Sequence, residues 1–120
     1  MSKSSVAIVI GTRPEAIKLA PLIKEFKSCK NFLTKVILTG QHKEMVDQVL
    51  KLFEIEQDIN LSLMRKKQSL TYITCSALEG LENILKKINP KLILVQGDTT
   101  TAFSAALAAF YLKIPVGHVE

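Results

Sequence analysis

Apolar residues along the chain come in two alternating patterns. Residues 6–10 and 92–95 are short unbroken apolar runs. They lack period-2 alternation, which predicts strands buried on both faces. After the first run, apolar residues recur at helical spacing, as in Ala16, Leu19, Ala20 and Ile23, which predicts a helix with one buried face. The alternation of the two patterns predicts an α/β fold, a doubly wound parallel sheet with right-handed crossovers.

Further strands and helices follow from the same patterns. Strands are predicted at 6–10, 33–39, 59–61, 92–95 and 115–119, and helices from Pro14 onward, at 42–53, between Ser69 and Asn89, and at 99–112. The last helix is apolar almost all round, which is typical of a helix buried on more than one side. The fifth strand reaches Glu120 with no helix after it. Both features predict that residues 1–120 form a single Rossmann-like domain fragment of a larger protein.

The turn after the first strand predicts an anion site. The strand stops at Gly11, and Pro14 fits the first turn of a helix, where a missing N–H costs nothing. Glu15 lies in the same turn, where the helix dipole favours an acid. Arg13 lies at the tip. Free backbone N–H groups, the helix dipole and a guanidinium together favour phosphate.

The predicted topology brings further polar residues to the same edge. In doubly wound sheets the first and fourth strands are commonly neighbours, and ligands bind at the carboxyl ends of strands where the order reverses. This rule places residues 11–13 beside residues 97–99, with Glu120 on the same rim. Lys18 is one turn into the first helix, and helical side chains lean toward the N-terminus, so its ammonium can reach the crevice.

Each of these residues also has a purely structural interpretation, which the sequence leaves open. Asp98 precedes a run of threonines and could be only a helix N-cap. Arg13 and Lys18 could be solvated surface cations. His42, just before a helix, is typical of a local hydrogen-bonding residue. His118, in an apolar strand, is typical of a buried histidine whose hydrogen bonds are satisfied.

Composition narrows the class of protein only slightly. Of the 120 residues, 48% are hydrophobic and 22% charged, which is ordinary for a folded domain. Sixteen Lys and Arg against eleven Asp and Glu give a net charge of +5, which suits an anionic ligand but is also common on soluble surfaces. Cys29 and Cys75 lack metal-binding spacing and are interpreted as reduced thiols of a cytosolic protein.

Several classes of protein are disfavoured because the chain lacks the residues that their motifs require. The segment GTRPEA has one glycine, so it is no GxGxxG dinucleotide fingerprint, and the chain has no P-loop. A two-component receiver domain has a similar length and strand order. Receivers, however, need an acidic cluster at the end of the first strand to bind a metal, and this chain has Gly-Thr-Arg-Pro there. A nucleic-acid module is disfavoured because the basic residues are scattered and aromatics are 6% of the chain.

Four motifs together resemble the non-hydrolysing UDP-N-acetylglucosamine 2-epimerases. They are GTRPEAIKLAPL at 11–22, TGQHKEMVDQVL at 39–50, VQGDTTTAFSAALAAFY at 95–111 and IPVGHVE at 114–120. The resemblance covers nearly the whole chain, but only about the N-terminal third of such an enzyme. It implies the N-terminal domain of a glycosyltransferase-B type two-domain fold. It also implies a cytoplasmic homodimer that serves polysaccharide biosynthesis, with no metal, no nicotinamide cofactor and no nucleic-acid or membrane partner.

The resemblance also implies a reaction and roles for four residues. The family interconverts UDP-GlcNAc and UDP-ManNAc by eliminating UDP across C1–C2 and adding it back, with C2 protonated from the opposite face. By motif, Asp98 and Glu120 match the family's acid/base carboxylates, and Arg13 and Lys18 match its basic substrate-binding residues. The isolated 1–120 piece is expected to be inactive, because the closed cleft needs the second domain. The alternative is a non-catalytic nucleotide-sugar binding or regulatory domain.

Some members of the family also bind a second UDP-GlcNAc as an allosteric activator. Gln41 and His42 match residues used there. Glu44 stands where regulated members have glutamine, and Lys67 stands where they have arginine. These two differences predict weakened allosteric activation.

Overall fold

A five-stranded parallel sheet forms the centre of the chain in the computed structural model, which describes residues 4–63 and 68–120. The strands are β1 (Ser4–Ile10), β2 (Phe32–Leu38), β3 (Ile59–Asn60), β4 (Leu92–Gln96) and β5 (Val116–Val119). The helices are α1 (Arg13–Ser28), α2 (Lys43–Leu52), α3 (Leu70–Ile88) and α4 (Thr100–Tyr111). Each element lies close to its predicted position, so the predicted α/β alternation is confirmed.

The strand order β3-β2-β1-β4-β5 confirms that β1 and β4 are neighbours. Ile8 of β1 aligns with Val36 of β2 on one side and with Leu94 of β4 on the other. Alternate residues of β1 enter two separate cores. Ile8 packs in the core that α1 and α2 cover, and Val9 packs in the core that α3 and α4 cover. The sheet is therefore doubly wound, with β1 buried on both faces as its apolar run predicts.

Helix ends follow local chemistry. Ser69 caps α3, because its Oγ accepts a hydrogen bond from the Tyr72 N–H at 3.0 Å. Asn89 ends α3 in the left-handed region with φ 49°, which asparagine tolerates better than most residues. Both assignments agree with the predicted ends of this helix.

Two apolar residues at the starts of helices are exposed. Met45 of α2 and Leu70 of α3 share the helical spacing of their buried neighbours, yet both side chains are exposed. Leu70 is the first residue of its helix and Met45 lies in the first turn, and neither belongs to the two buried cores that cover the sheet. A helical period assigns a residue to a face but does not tell how far along the helix the neighbouring elements extend.

Helix α4 is buried only on the side that carries its small residues. Ala105, Ala108 and Ala109 are fully buried, so the helix approaches the sheet and α3 closely. Phe103 and Phe110 remain 59% and 73% exposed. Within the described residues the aromatic side of α4 is therefore uncovered, as expected if this helix is buried on more than one side only in a larger protein. Among the helices of residues 4–63 and 68–120, none has the length and apolar character that crossing a bilayer requires.

Candidate active site

An open cavity of about 460 Å³ lies at the carboxyl ends of β4 and β5, beside the start of α1. Its lining includes Lys18 from α1, Asp98 from the turn after β4 and Glu120 from the end of β5. These are three of the four residues that the family resemblance marks as catalytic or substrate-binding. The cavity lies where the strand order reverses, which is where doubly wound sheets bind ligands.

The charged groups of the cavity do not neutralise one another. Within the described residues, the one ion pair joins Lys86 and Glu82 on the surface of α3, at 3.3 Å. The Lys18 ammonium is therefore more than 4.0 Å from the carboxylate oxygens of Asp98 and Glu120. An exposed ammonium with no carboxylate partner is available to an anionic ligand, and the two carboxylates are available to exchange protons with it.

Arg13 occupies a different position from the one expected. The flanking residues Thr12 and Pro14 line the cavity, whereas Arg13 itself is exposed and is not part of the lining. It is the first residue of α1. The sheet therefore brings the Arg13 backbone to the cavity edge, and its side chain lies outside the lining.

Thr99, and not Asp98, caps helix α4. The Thr99 Oγ1 accepts a hydrogen bond from the Ala102 N–H at 3.0 Å. Asp98 precedes the cap and is exposed, and within the described residues its carboxylate accepts no hydrogen bond. The capping interpretation of Asp98 is therefore wrong. The sequence offered four candidate cap residues in a row, and only the backbone geometry identifies the one that caps.

Glu15 is a buried residue whose contacts the sequence did not reveal. Its side chain has 0% exposure, and its Oε2 accepts hydrogen bonds from the N–H groups of Gly11 and Thr12 at 3.2 and 2.6 Å. The Thr12 hydroxyl also donates to Oε2, at 2.7 Å. The expected anion site was assigned to free N–H groups in this turn, and that prediction is wrong for Gly11 and Thr12. Thr12-x-x-Glu15 is a capping-box spacing, the signal that points to this role.

Tight packing joins the first turn to helix α4. A Cβ on Gly11 would lie 2.7 Å from the Thr101 Cβ, so only glycine fits there. Thr101 is fully buried, and its hydroxyl donates to the Gln41 Oε1 at 3.4 Å. The turns after β1, β2 and β4 are therefore in contact at one edge of the sheet.

The residues predicted for an allosteric site lie on the β2 side of that edge. Gln41 and His42 follow β2, and Glu44 is exposed in the first turn of α2. His42 lines a narrow crevice with Gly11 and Gly40. It is the N-cap residue of α2, but within the described residues its side chain makes no capping hydrogen bond, so the local hydrogen-bonding interpretation fails at this helix end. Lys67 lies outside the described residues.

His118 also differs from its predicted environment. Within the described residues it is exposed, and so it is not a buried core histidine there. Its Nε2 lies 2.7 Å from the Gly97 carbonyl oxygen, and the ring lines the cavity beside Asp98. Apolar neighbours in sequence suggested burial, whereas the described fold places the ring at the cavity.

A larger cavity of about 660 Å³ also carries charged side chains, among them Asp47, Lys51, Glu54 and Glu56. It lies beside the end of α2, and none of its lining residues comes from the turns after β1 and β4. Within residues 4–63 and 68–120, no group of three or more His, Cys, Asp or Glu side chains is arranged to hold a metal ion.

Comparison with known proteins identifies the family. A sequence model of UDP-N-acetylglucosamine 2-epimerase matches residues 24–120, more than half of the chain. The UDP-N-acetylglucosamine 2-epimerase of Yersinia pestis is 56% identical over 115 residues, which are 96% of this chain and 31% of that protein. The chain thus spans about a third of the length of this relative.

Comparison with solved structures agrees with the family match. The crystal structure of the Neisseria meningitidis UDP-GlcNAc 2-epimerase bound to UDP-GlcNAc matches with a TM-score of 0.93 and 52% identity, over 97% of this chain and 31% of that one. The glycotransferase of kitacinnamycin matches with a TM-score of 0.70 at 15% identity, over 98% of this chain and 30% of that one, which shows a shared α/β fold alone. By the family match and these likenesses, the chain belongs to the UDP-N-acetylglucosamine 2-epimerase family.

Proposed function

We propose that this chain is the N-terminal part of an enzyme that interconverts UDP-GlcNAc and UDP-ManNAc. The observation that carries the proposal is the cavity shared by Lys18, Asp98 and Glu120, in a chain of this family. One cation and two carboxylates on a single cavity are the groups that elimination of a diphosphate from a sugar requires.

The chemistry divides between these residues. One carboxylate of Asp98 and Glu120 removes the proton from C2, the C1–O bond breaks, and UDP leaves with the bonding electrons as the C1–C2 double bond forms. In the return step UDP attacks C1, and the other group, as the carboxylic acid, gives its proton to C2 from the opposite face; proton exchange with solvent then restores both groups. Lys18 stabilises the negative charge on the leaving diphosphate, with Arg13 as a second cation at the cavity edge. The cycle is redox-neutral and consumes no second substrate.

The remaining features of the protein belong to the same proposal. Residues 1–120 are one Rossmann-like domain, and a second domain closes the cleft over the sugar. The whole protein is a cytoplasmic homodimer that supplies polysaccharide biosynthesis. Gln41, His42, Glu44 and Lys67 belong to a regulatory site for a second nucleotide sugar, weakened because Lys67 offers a point charge where arginine offers a planar fork.

The test uses the natural protein that contains this chain. It is incubated with UDP-GlcNAc in D₂O, and NMR follows the appearance of UDP-ManNAc and of deuterium at C2. We expect both signals, because each reversible turnover exchanges the C2 proton with solvent. Binding of UDP-GlcNAc with neither signal would refute catalysis and support the alternative, a nucleotide-sugar binding or regulatory domain.

A further inference from the structure

Glu15 joins two turns that are far apart in sequence. Besides the three donors in its own turn, it accepts a hydrogen bond at Oε1 from the Thr99 hydroxyl at 2.9 Å, across 84 residues of sequence. The capping box accounts for the bond from the Thr12 N–H but not for the bonds from Gly11 and Thr99. The carboxylate therefore connects the turn after β1 with the turn after β4.

All four groups around this buried carboxylate are donors. Two are backbone N–H groups, and two are the hydroxyls of Thr12 and Thr99. A carboxylate accepts on both oxygens, whereas an amide has one acceptor and one donor end. Within the described residues no cation lies within 4.0 Å of Glu15. Its site is thus built for an acceptor-only side chain that holds two segments at once.

The turn after β4 is anchored at both ends. Thr99 donates to Glu15 and accepts from the Ala102 N–H, so the orientation of its hydroxyl is set on both sides. Gly97 donates its N–H to the Val119 carbonyl at 3.0 Å, and its own carbonyl oxygen lies 2.7 Å from the His118 Nε2. Asp98 lies between these two anchored residues and faces the cavity.

We propose that Glu15 is a positioning residue, whose carboxylate ties the turn after β1 to the turn after β4 and so holds Asp98 in place within the cavity that Lys18 also lines. The proposal has two parts. The effect of Glu15 on turnover rests on the proposed epimerase function, whereas the coupling of the two turns by Glu15 does not.

The structural part is tested in the natural protein by a change on one turn and a measurement on the other. Thr99→Gly removes the hydroxyl that Glu15 binds, while glycine at an N-cap costs only a few tenths of a kcal/mol relative to threonine. Thr99→Ser is the matched control, because it keeps the hydroxyl. Amide hydrogen exchange is then measured at Gly11 and Thr12.

The proposal predicts that a change at Thr99 speeds amide hydrogen exchange in the turn after β1. Loss of a hydrogen bond to a charged group should speed exchange at Gly11 and Thr12 about tenfold in Thr99→Gly, and not in Thr99→Ser. Unchanged exchange at both amides in Thr99→Gly would overturn the coupling, because Glu15 would then hold its own turn without help from Thr99.

The catalytic part is tested with Glu15→Gln. The glutamine oxygen can keep the bonds to Gly11 and Thr12, but its NH₂ group replaces Oε1, so the Thr99 hydroxyl loses its acceptor and its proton must turn elsewhere. Without this bond the turn that carries Asp98 should shift. A reacting group misplaced by about 1 Å slows a reaction by up to about 100-fold, so kcat of the folded enzyme should fall about 10- to 100-fold. The KM for UDP-GlcNAc should change little.

Coupling to Asp98 separates positioning from simple stability. In an Asp98→Asn background, Glu15→Gln should cause no further loss of kcat, because the group that it positions is already gone. Normal kcat in Glu15→Gln, or a full additional loss in the double variant, would overturn the positioning role. If the unmutated natural protein forms no UDP-ManNAc, the proposed function fails, and the exchange experiment still decides whether Glu15 couples the turns.

Discussion

Asp98→Asn separates a proton-transfer role from a structural role at the turn before α4. Asn is nearly the same size as Asp and keeps a hydrogen-bond acceptor, but at neutral pH it neither takes nor gives a proton. The structure assigns the helix cap to Thr99, and within the described residues the Asp98 carboxylate makes no hydrogen bond and no ion pair. The substitution therefore leaves the described hydrogen bonds of the fold intact.

Asp98→Asn should change stability far less than it changes the rate of turnover. An exposed substitution away from caps and buried polar groups changes the free energy of unfolding by about 0.5 kcal/mol or less. General acid–base groups contribute about 10²–10⁴ in rate, which corresponds to roughly 2.7–5.4 kcal/mol of activation free energy. UDP affinity should not fall, because the change removes a negative charge from a cavity that binds a diphosphate.

Three measurements on the natural protein test this prediction: the free energy of unfolding by urea, UDP affinity by calorimetry, and turnover by NMR. Ser69→Ala is the structural control, because Ser69 caps α3 and does not line the cavity. It loses the bond from the Tyr72 N–H and should lower the free energy of unfolding by about 1 kcal/mol, with turnover of the folded protein unchanged. An Asp98→Asn protein that is strongly destabilised while its folded fraction turns over normally would refute the catalytic assignment.

Other residues and the whole chain yield further tests. Gly11→Ala should lower the free energy of unfolding in urea by about 1–3 kcal/mol, because the alanine Cβ would lie 2.7 Å from the Thr101 Cβ. An unchanged urea midpoint would contradict this packing. Lys18→Gln should weaken UDP binding about 10- to 100-fold by calorimetry, whereas Lys86→Gln, which removes a surface ion pair, should not; equal effects would argue against a ligand-binding Lys18. Asn89→Ala should lower the free energy of unfolding by about 1 kcal/mol, because φ is 49° at this residue and alanine disfavours the left-handed region. Asn89→Gly should not lower it, because glycine adopts this region freely. The isolated 1–120 chain should form no UDP-ManNAc by NMR, and any product would contradict the two-domain proposal. Turnover of the natural protein from UDP-ManNAc should not depend fully on added UDP-GlcNAc; complete dependence would show that the weakened regulatory site still governs activity.

The sequence by itself determined the elements and their order. Buried strands, helix starts at Pro14 and after Ser69, and the end at Asn89 all depend on residues within a few positions of one another. The adjacency of β1 and β4 followed as well, because few topologies satisfy short right-handed crossovers. Local periodicity and capping act over one or two turns of chain, so they can be read from neighbouring residues.

Only the tertiary structure decided which side chains meet. Glu15 and Thr99 are 84 residues apart, and their contact depends on how β1 and β4 align. His118 contacts the Gly97 carbonyl, 21 residues away, and lines the cavity, although its neighbours in sequence are apolar. Such contacts arise from strand register and packing between distant segments, which no local pattern of residues encodes.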